Sequence, residues 1–192
     1  MLVDLTVKIS PEINKNAADN EKKVSYGHLG THFDVMNQEF PLEFVKRKAI
    51  VFDVRNILNR DISIQDINIE LVQKNMFVAF YTEFIEQEPY GSKAYFTKHP
   101  QLSDELINIL LEKEISIIGI DCAGVRRGKE HTPKDQYCAD RGVFIVENLC
   151  NLSEILEERK SNTFVANTYP LNFSGMTGLP CRVVAEFRKE SC

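Results

Sequence analysis

The chain has 192 residues, of which 43% are hydrophobic and 27% charged, with a formal net charge of −5. At roughly 150 residues per domain this is one domain spanning 1–192, large enough to bury a core without disulfide or metal staples. The ordinary composition argues against disorder, the acidic balance against nucleic-acid binding, and the short apolar runs against a membrane span.

Leu2 to Ile9 alternates apolar and polar residues and reads as a strand, with Leu2 out of phase. Pro11 to Asn20 reads as a polar loop, and Lys22 to Met36 as strand, turn, strand around Gly27 and Gly30. Ala49 to Val54 and Met76 to Thr82 are compact β-branched and aromatic runs, the pattern of buried strands. Ile67 to Gln73 fits helix or strand. Ser103 to Lys113 carries a helix signature: Ser103 as N-cap, Asp104 and Glu105 in the first turn, and a stripe of Leu106, Ile109 and Leu110. Ile115 to Ile120 follows as a strand. Thr132 and Pro133 read as N-cap and first residue of a second helix that Gly142 ends. Val143 to Val146 is a strand, Leu152 to Arg159 a short helix capped by Asn151, and Thr163 to Val165 and Cys181 to Phe187 are late strands. The mixture is α/β, with a β-rich first half.

The five cysteines are Cys122, Cys138, Cys150, Cys181 and Cys192. The odd count and the lack of any C-x-x-C pair speak for reduced thiols rather than a disulfide frame or zinc finger. The opening Met-Leu-Val-Asp-Leu has no basic segment, so a secretory leader is not expected and a cytoplasmic location is.

One segment concentrates chemistry: His28-Leu29-Gly30-Thr31-His32-Phe33-Asp34. On an extended chain these two imidazoles and the carboxylate share a face, and His32 and Asp34 stand about 6.6 Å apart. His28 would lie roughly 13 Å from His32 if the chain were flat. A shared metal therefore requires a bend, which Gly30 permits. Two histidines and a carboxylate with open positions suit a catalytic zinc, manganese or iron. A single histidine is most often a plain surface or core residue. H-x-G-T-H-x-D, however, arises by accident in on the order of one in 10⁵ chains of this length, so the segment is read as a metal site.

H-x-G-T-H-x-D resembles the signature of the putative cyclase family, which includes bacterial kynurenine formamidase and isatin hydrolase. The rest of the chain agrees in order: Met1 to Ser10 with the family's opening strand, His99-Pro100-x-Leu102-Ser103 with its "HPxLS" helix entry, and Ile118 to Asp121 with "IGID". Gly142 to Leu149 matches its second glycine-strand-Glu-Asn segment, and Pro170-Leu171 with Pro180-Cys181-Arg182 its close. The resemblance implies a swivelling β/β/α (cyclase-like) fold, a mixed β core flanked by helices. It implies metal ligands at His28, His32, Asp34 and Glu147, zinc first and manganese as the alternative, and assembly as a homodimer or homotetramer. Glu147 ends an apolar strand, where a charge is costly unless paired or metal-bound; the plain alternative is a salt-bridged strand end.

Departures from the family pattern bear on activity. The family's D-x-P-x-H continues here as Asp34-Val35-Met36-Asn37-Gln38. Gln38, at the position of a catalytic histidine, can hydrogen-bond but cannot shuttle a proton. The histidine that two-metal members carry twelve residues before the glutamate is Asp135, which can still ligate a second ion. The family's serine after "IGID" falls near Gly124. His131 either enters the site and restores a base or lies in a surface loop, the loop being the default. Glu39 is a further candidate base, more often a solvated residue type. Arg126, Arg127, Lys129 and Lys134 form a basic stretch that could attract an anion or simply face solvent. The cysteines lack a neighbouring base in sequence, which argues against thiol catalysis.

Together these features predict a metal-dependent hydrolase that opens a small cyclic or acyclic amide, lactone or ester with a metal-activated water. Gln38, Asp135 and His131 are the candidate catalytic residues, and the partner is a small-molecule substrate. A catalytically impaired, metal-holding binding protein on the same fold is the competing expectation, and a plain structural domain a third.

Overall fold

The β-branched and aromatic runs form the middle of one mixed sheet in the computed structural model, which describes residues 1–57 and 59–188. In chain order the elements are β1 (Leu2–Asp4), α1 (Pro11–Ala17), α2 (Glu21–Ser25), β2 (His32–Asp34), β3 (Lys46–Asp53), β4 (Phe77–Tyr81), α3 (Phe84–Gln87) and α4 (Lys93–Lys98). Then follow α5 (Asp104–Glu112), β5 (Ile117–Ile120), α6 (His131–Ala139), β6 (Phe144–Glu147), α7 (Leu152–Leu156), β7 (Ser161–Pro170) and β8 (Gly178–Glu186).

Strands β3, β4, β5 and β6 run parallel, and β2 and β7 join antiparallel. One edge of β8 pairs with β7, and the other takes β2 and then β1. The sheet thereby closes through β8-β2-β6-β5-β4-β3-β7, with β1 appended. The expected mixed β core is thus, more specifically, a seven-stranded mixed barrel with helices outside.

Alternation divides the apolar residues between two buried clusters. Phe33, Val51, Phe77, Ala79, Ile117, Val146 and Ala185 fill one of them, together with residues of α7. Ile50, Phe52, Val78, Phe80, Ile118 and Ile145 lie in the other, against Leu106, Ile107 and Leu110 of α5. Burial on both faces is why β3 to β6 read as unbroken apolar runs. The Ser103 side chain accepts from Leu106 N at 3.1 Å, as its N-cap signature predicts.

Several expectations need correction. Residues 11–20 are not all loop: Ser10 caps α1 and Pro11 opens it, a start signal outweighed by the polar composition. Residues 22–25 are helical in α2, so only 32–34 of the expected strand pair is a strand. Ile69–Leu71 is a single 3₁₀ turn, neither of the two forms considered. The helix read from Thr132 begins at His131, and no side chain caps it. Asn151 precedes α7 in a left-handed conformation and caps nothing; its Nδ2 donates to Asp4 O instead. Cys122, Cys138, Cys150 and Cys181 are free thiols, and Cys192 lies outside the described residues. No helix among the described residues is long and apolar enough to cross a membrane.

Candidate metal centre

The bend that the spacing of His28 and His32 requires is present. Gly30 sits at φ +72°, a conformation that side-chain-bearing residues rarely adopt. It brings His28 Nδ1 to 3.0 Å from His32 Nε2 and to 3.1 Å from Asp34 Oδ1. The turn is pinned from three sides. Tyr90 Oη accepts from Gly30 N, Asn148 Nδ2 donates to Gly30 O, and the Thr31 hydroxyl donates to Asn148 O. Asn148 Oδ1 accepts in turn from the Tyr95 hydroxyl. On β2, His32 stands opposite Glu147 of β6, with Nε2 3.5 Å from Glu147 Oε2.

A second triad meets the first at Glu147. His131 and Asp135 are one helical turn apart on α6, so both face the barrel end. His131 Nε2 lies 3.3 Å from Asp135 Oδ2 and 3.5 Å from Glu147 Oε1. The ring fits because residue 124 is glycine: a Cβ there would lie 2.5 Å from His131 Nδ1. The serine that the family pattern places near Gly124 is therefore incompatible with this position of His131.

All three imidazoles are oriented alike. His32 Nδ1 donates to Gly30 O and His131 Nδ1 to Arg126 O, while His28 Nε2 bonds the Thr177 hydroxyl. Each ring thus spends its outer nitrogen on the frame and turns the other toward the carboxylates, as metal-binding histidines do. Asp34 Oδ1 and Oδ2, Asp135 Oδ1 and Glu147 Oε1 are buried with no hydrogen-bond partner. Burial pushes the carboxyls of Asp135 and Glu147 well above the usual range, and the charge of Asp34 adds to it. Burial acts on Asp34 in the same sense, but His32 and His28 outweigh it and hold that carboxyl well below the usual range. Burial also pushes His28 and His131 down, toward neutral rings with free lone pairs. Lone pairs and carboxylate oxygens converging in a buried space need a cation between them. The residues present therefore fit a divalent metal: within each triad, His28/His32/Asp34 and His131/Asp135/Glu147, one ligand atom per residue lies within 4.8 Å of the others.

The structure brings together His28, His32, Asp34, Glu147, Asp135 and His131. His131 opens a helix and does not lie in an exposed loop. Gln38 and Glu39 do not join them; both are exposed and line a separate groove with Phe40, Leu42 and Tyr169. In the basic stretch, Arg126 is buried and paired with Asp61 and Glu130, and Lys134 pairs with Asp104. Sequence reasoning missed Thr177, Asn148, Tyr90 and Tyr95, which hold the ligands from distant positions. It also missed Lys22 and Lys23, which line the cavity over the histidines. Asn148 was visible in the matched Glu-Asn pair, without a role attached.

A sequence model of a family described as putative cyclase matches residues 3–127. No curated protein matches the chain. Among solved structures, one described as a potential metal-dependent hydrolase with cyclase activity is 23% identical, with a TM-score of 0.76 and 99% of each chain covered. A predicted metal-dependent hydrolase from Bacillus stearothermophilus is 21% identical, with a TM-score of 0.71 over 96% of this chain and 97% of that one. Isatin hydrolase A from Labrenzia aggregata, bound to benzyl benzoate, is 19% identical, with a TM-score of 0.71 over 96% and 93%. At these identities the likeness is one of fold.

Proposed function

This chain belongs to the putative cyclase family, and on that premise we propose that it is a metal-dependent hydrolase of a small cyclic or acyclic amide, lactone or ester. The observation that carries the proposal is the set of buried, unpartnered oxygens of Asp34, Asp135 and Glu147 facing three oriented imidazoles. His28, His32 and Asp34 would hold one divalent ion and His131, Asp135 and Glu147 a second. Zinc is the expected ion and manganese the alternative. Such an ion supplies Lewis acidity and lowers the pKa of water toward neutrality.

The chain's own residues fix the geometry of that chemistry. Gly30 O, Arg126 O and Thr177 Oγ1 fix the rings, so no reorientation is needed when substrate arrives. Gln38 lies outside the cluster, so proton transfer is not assigned to it. A second reading applies if only one ion is held. His131, its Nδ1–H fixed on Arg126 O and its Nε2 beside Asp135, would then act as the acid–base residue.

The exposed side chains of Leu42, Tyr169, Leu171 and Phe173 border one groove and form the face we assign to a second copy of the chain. The free thiols suit a reducing compartment, the cytoplasm.

Metal content per chain, measured by mass spectrometry on untagged protein, tests the reading together with hydrolysis of formanilide and 4-nitrophenyl acetate. Bound divalent metal, with turnover lost on chelation and restored by zinc or manganese, is the expected result. Metal without turnover on either compound would favour the metal-holding binding protein. No metal after reconstitution would overturn both.

A further inference from the structure

Above the histidines lies a cavity of about 170 Å³, lined by His28, His32, His131 and Glu147 on its floor and by Lys22, Lys23 and Phe96 at its mouth. A void of about 150 Å³ holds a molecule the size of benzene, so this open cleft has room for a small reacting group over the histidines. Lys23 reaches this mouth across an aromatic wall, with Nζ 4.5 Å from the centre of the Phe96 ring and 5.7 Å from that of Tyr90. The Tyr90 hydroxyl is also what accepts from Gly30 N, so the wall and the metal loop are one construction. Lys22 lies close enough for its charge to act on His28, His131, Asp135 and Glu147. Neither ammonium forms an ion pair among the described residues, although the chain carries an acidic excess. Lys23 is half-buried, and burial pushes its pKa down. Desolvating a cation without an anion beside it is costly. Glu147 on the floor does not fill that role, because its two oxygens lie 3.5 Å from His32 Nε2 and His131 Nε2.

We infer that Lys22 and Lys23 form an anion-binding arm over the metal centre, and that the substrate is a small acid, an amide, lactone or ester bearing its own carboxylate. The inference rests on the hydrolase reading for the reaction, but its binding half stands apart. With divalent ions balancing Glu147 on the floor and the neighbouring Asp34 and Asp135, the two ammonium groups would have no internal counter-charge. A substrate carboxylate would accept from both, leaving the carbonyl to be cleaved deeper, over the histidines. A neutral substrate would leave the half-buried ammonium of Lys23 without a counter-charge, with Lys22 exposed beside it.

The test uses the zinc- or manganese-loaded protein. Succinate is titrated calorimetrically into wild type, Lys22→Gln/Lys23→Gln and Lys22→Arg/Lys23→Arg, with melting curves and metal content showing that each variant is folded and loaded. The same proteins are assayed on the succinate mono-4-nitrophenyl ester and on 4-nitrophenyl butyrate. Succinate affinity should fall about tenfold or more in the glutamine variant, the effect of losing charge-assisted hydrogen bonds, and recover in the arginine variant. The preference in kcat/KM for the anionic ester should shrink by a similar factor. Unchanged succinate affinity in the glutamine variant would overturn the arm. If neither ester is hydrolysed, the hydrolase reading fails, and the succinate titration still decides the role of the lysines. If both esters are cleaved without preference by wild type, the acid-substrate assignment fails while the hydrolase reading stands.

Discussion

His28, His32 and Asp34 occupy seven consecutive positions around one glycine turn, whereas His131, Asp135 and Glu147 come from a helix and a strand that meet only in the folded barrel. The first triad is close in sequence and part of its frame is local: Gly30 O orients the His32 ring, while Thr177 fixes His28 from far along the chain. The second depends on α6 docking at the right height and on Gly124 leaving room for an imidazole. The family match covers the first triad and stops before the second begins. A triad written into one turn is carried by a short motif, whereas one assembled from two elements needs only that a side chain deliver a nitrogen or oxygen to the same point.

Glu147, a member of the second triad that also lies 3.5 Å from His32 of the first, gives the largest expected effect. Glu147→Gln should lower metal content at both and cost at least about 100-fold in hydrolysis. His131→Asn should remove metal from the second triad only, leaving the first loaded. Mass-spectrometric stoichiometry separates the two outcomes, and equal losses would show that the triads do not load independently. Chelation comes next. With free ion at about a thousandfold excess over Kd, removing it should cost about 4 kcal/mol, read as a drop in melting temperature. An unchanged melting curve would mean that the buried carboxyls tolerate one another without a cation.

His99 is the buried histidine outside both triads and serves as their contrast. Burial pushes its pKa down to about 4, and Nδ1 donates to Pro100 O. In the unfolded chain it takes a proton near pH 6.5. The unfolded state therefore binds more protons between these values, so stability present above pH 6.5 is lost as pH falls toward 4, by up to roughly 3 kcal/mol. His99→Asn should flatten that part of a melting-temperature profile, and metal content should not change. The smallest effect belongs to the outer layer: Ser103→Ala removes the α5 cap and should cost about 1 kcal/mol with both triads intact.

The first triad, the central strands and α5 were legible in sequence because each rests on near neighbours: a bend at glycine, unbroken apolar runs, a serine cap. Glu147 and Asp135 became candidates only through the resemblance. His131 looked like loop because its role depends on the start of α6, which no side chain caps, and on the space at Gly124. Gln38 was named from a motif position, but the chain turns away at Met36 (φ +57°) and leaves it exposed. Lys22 and Lys23 fell in a stretch expected to be strand. As residues of α2 they stand over the metal centre, a placement that no local pattern encodes.

The seam at β8 sets an order of events during synthesis. Strand β2, which carries His32 and Asp34, pairs only with β6 and β8. Its motif leaves the ribosome early, yet the last of its partners is completed more than 140 residues later. At about 5–20 residues per second this is a wait of roughly 7–30 s. Throughout that interval the strand that carries the best-marked candidate ligands lacks at least one of its two partners. On the metal reading, the full ligand set exists only after the barrel closes, so conditions at that moment, rather than at the birth of the motif, would decide which ion the protein carries.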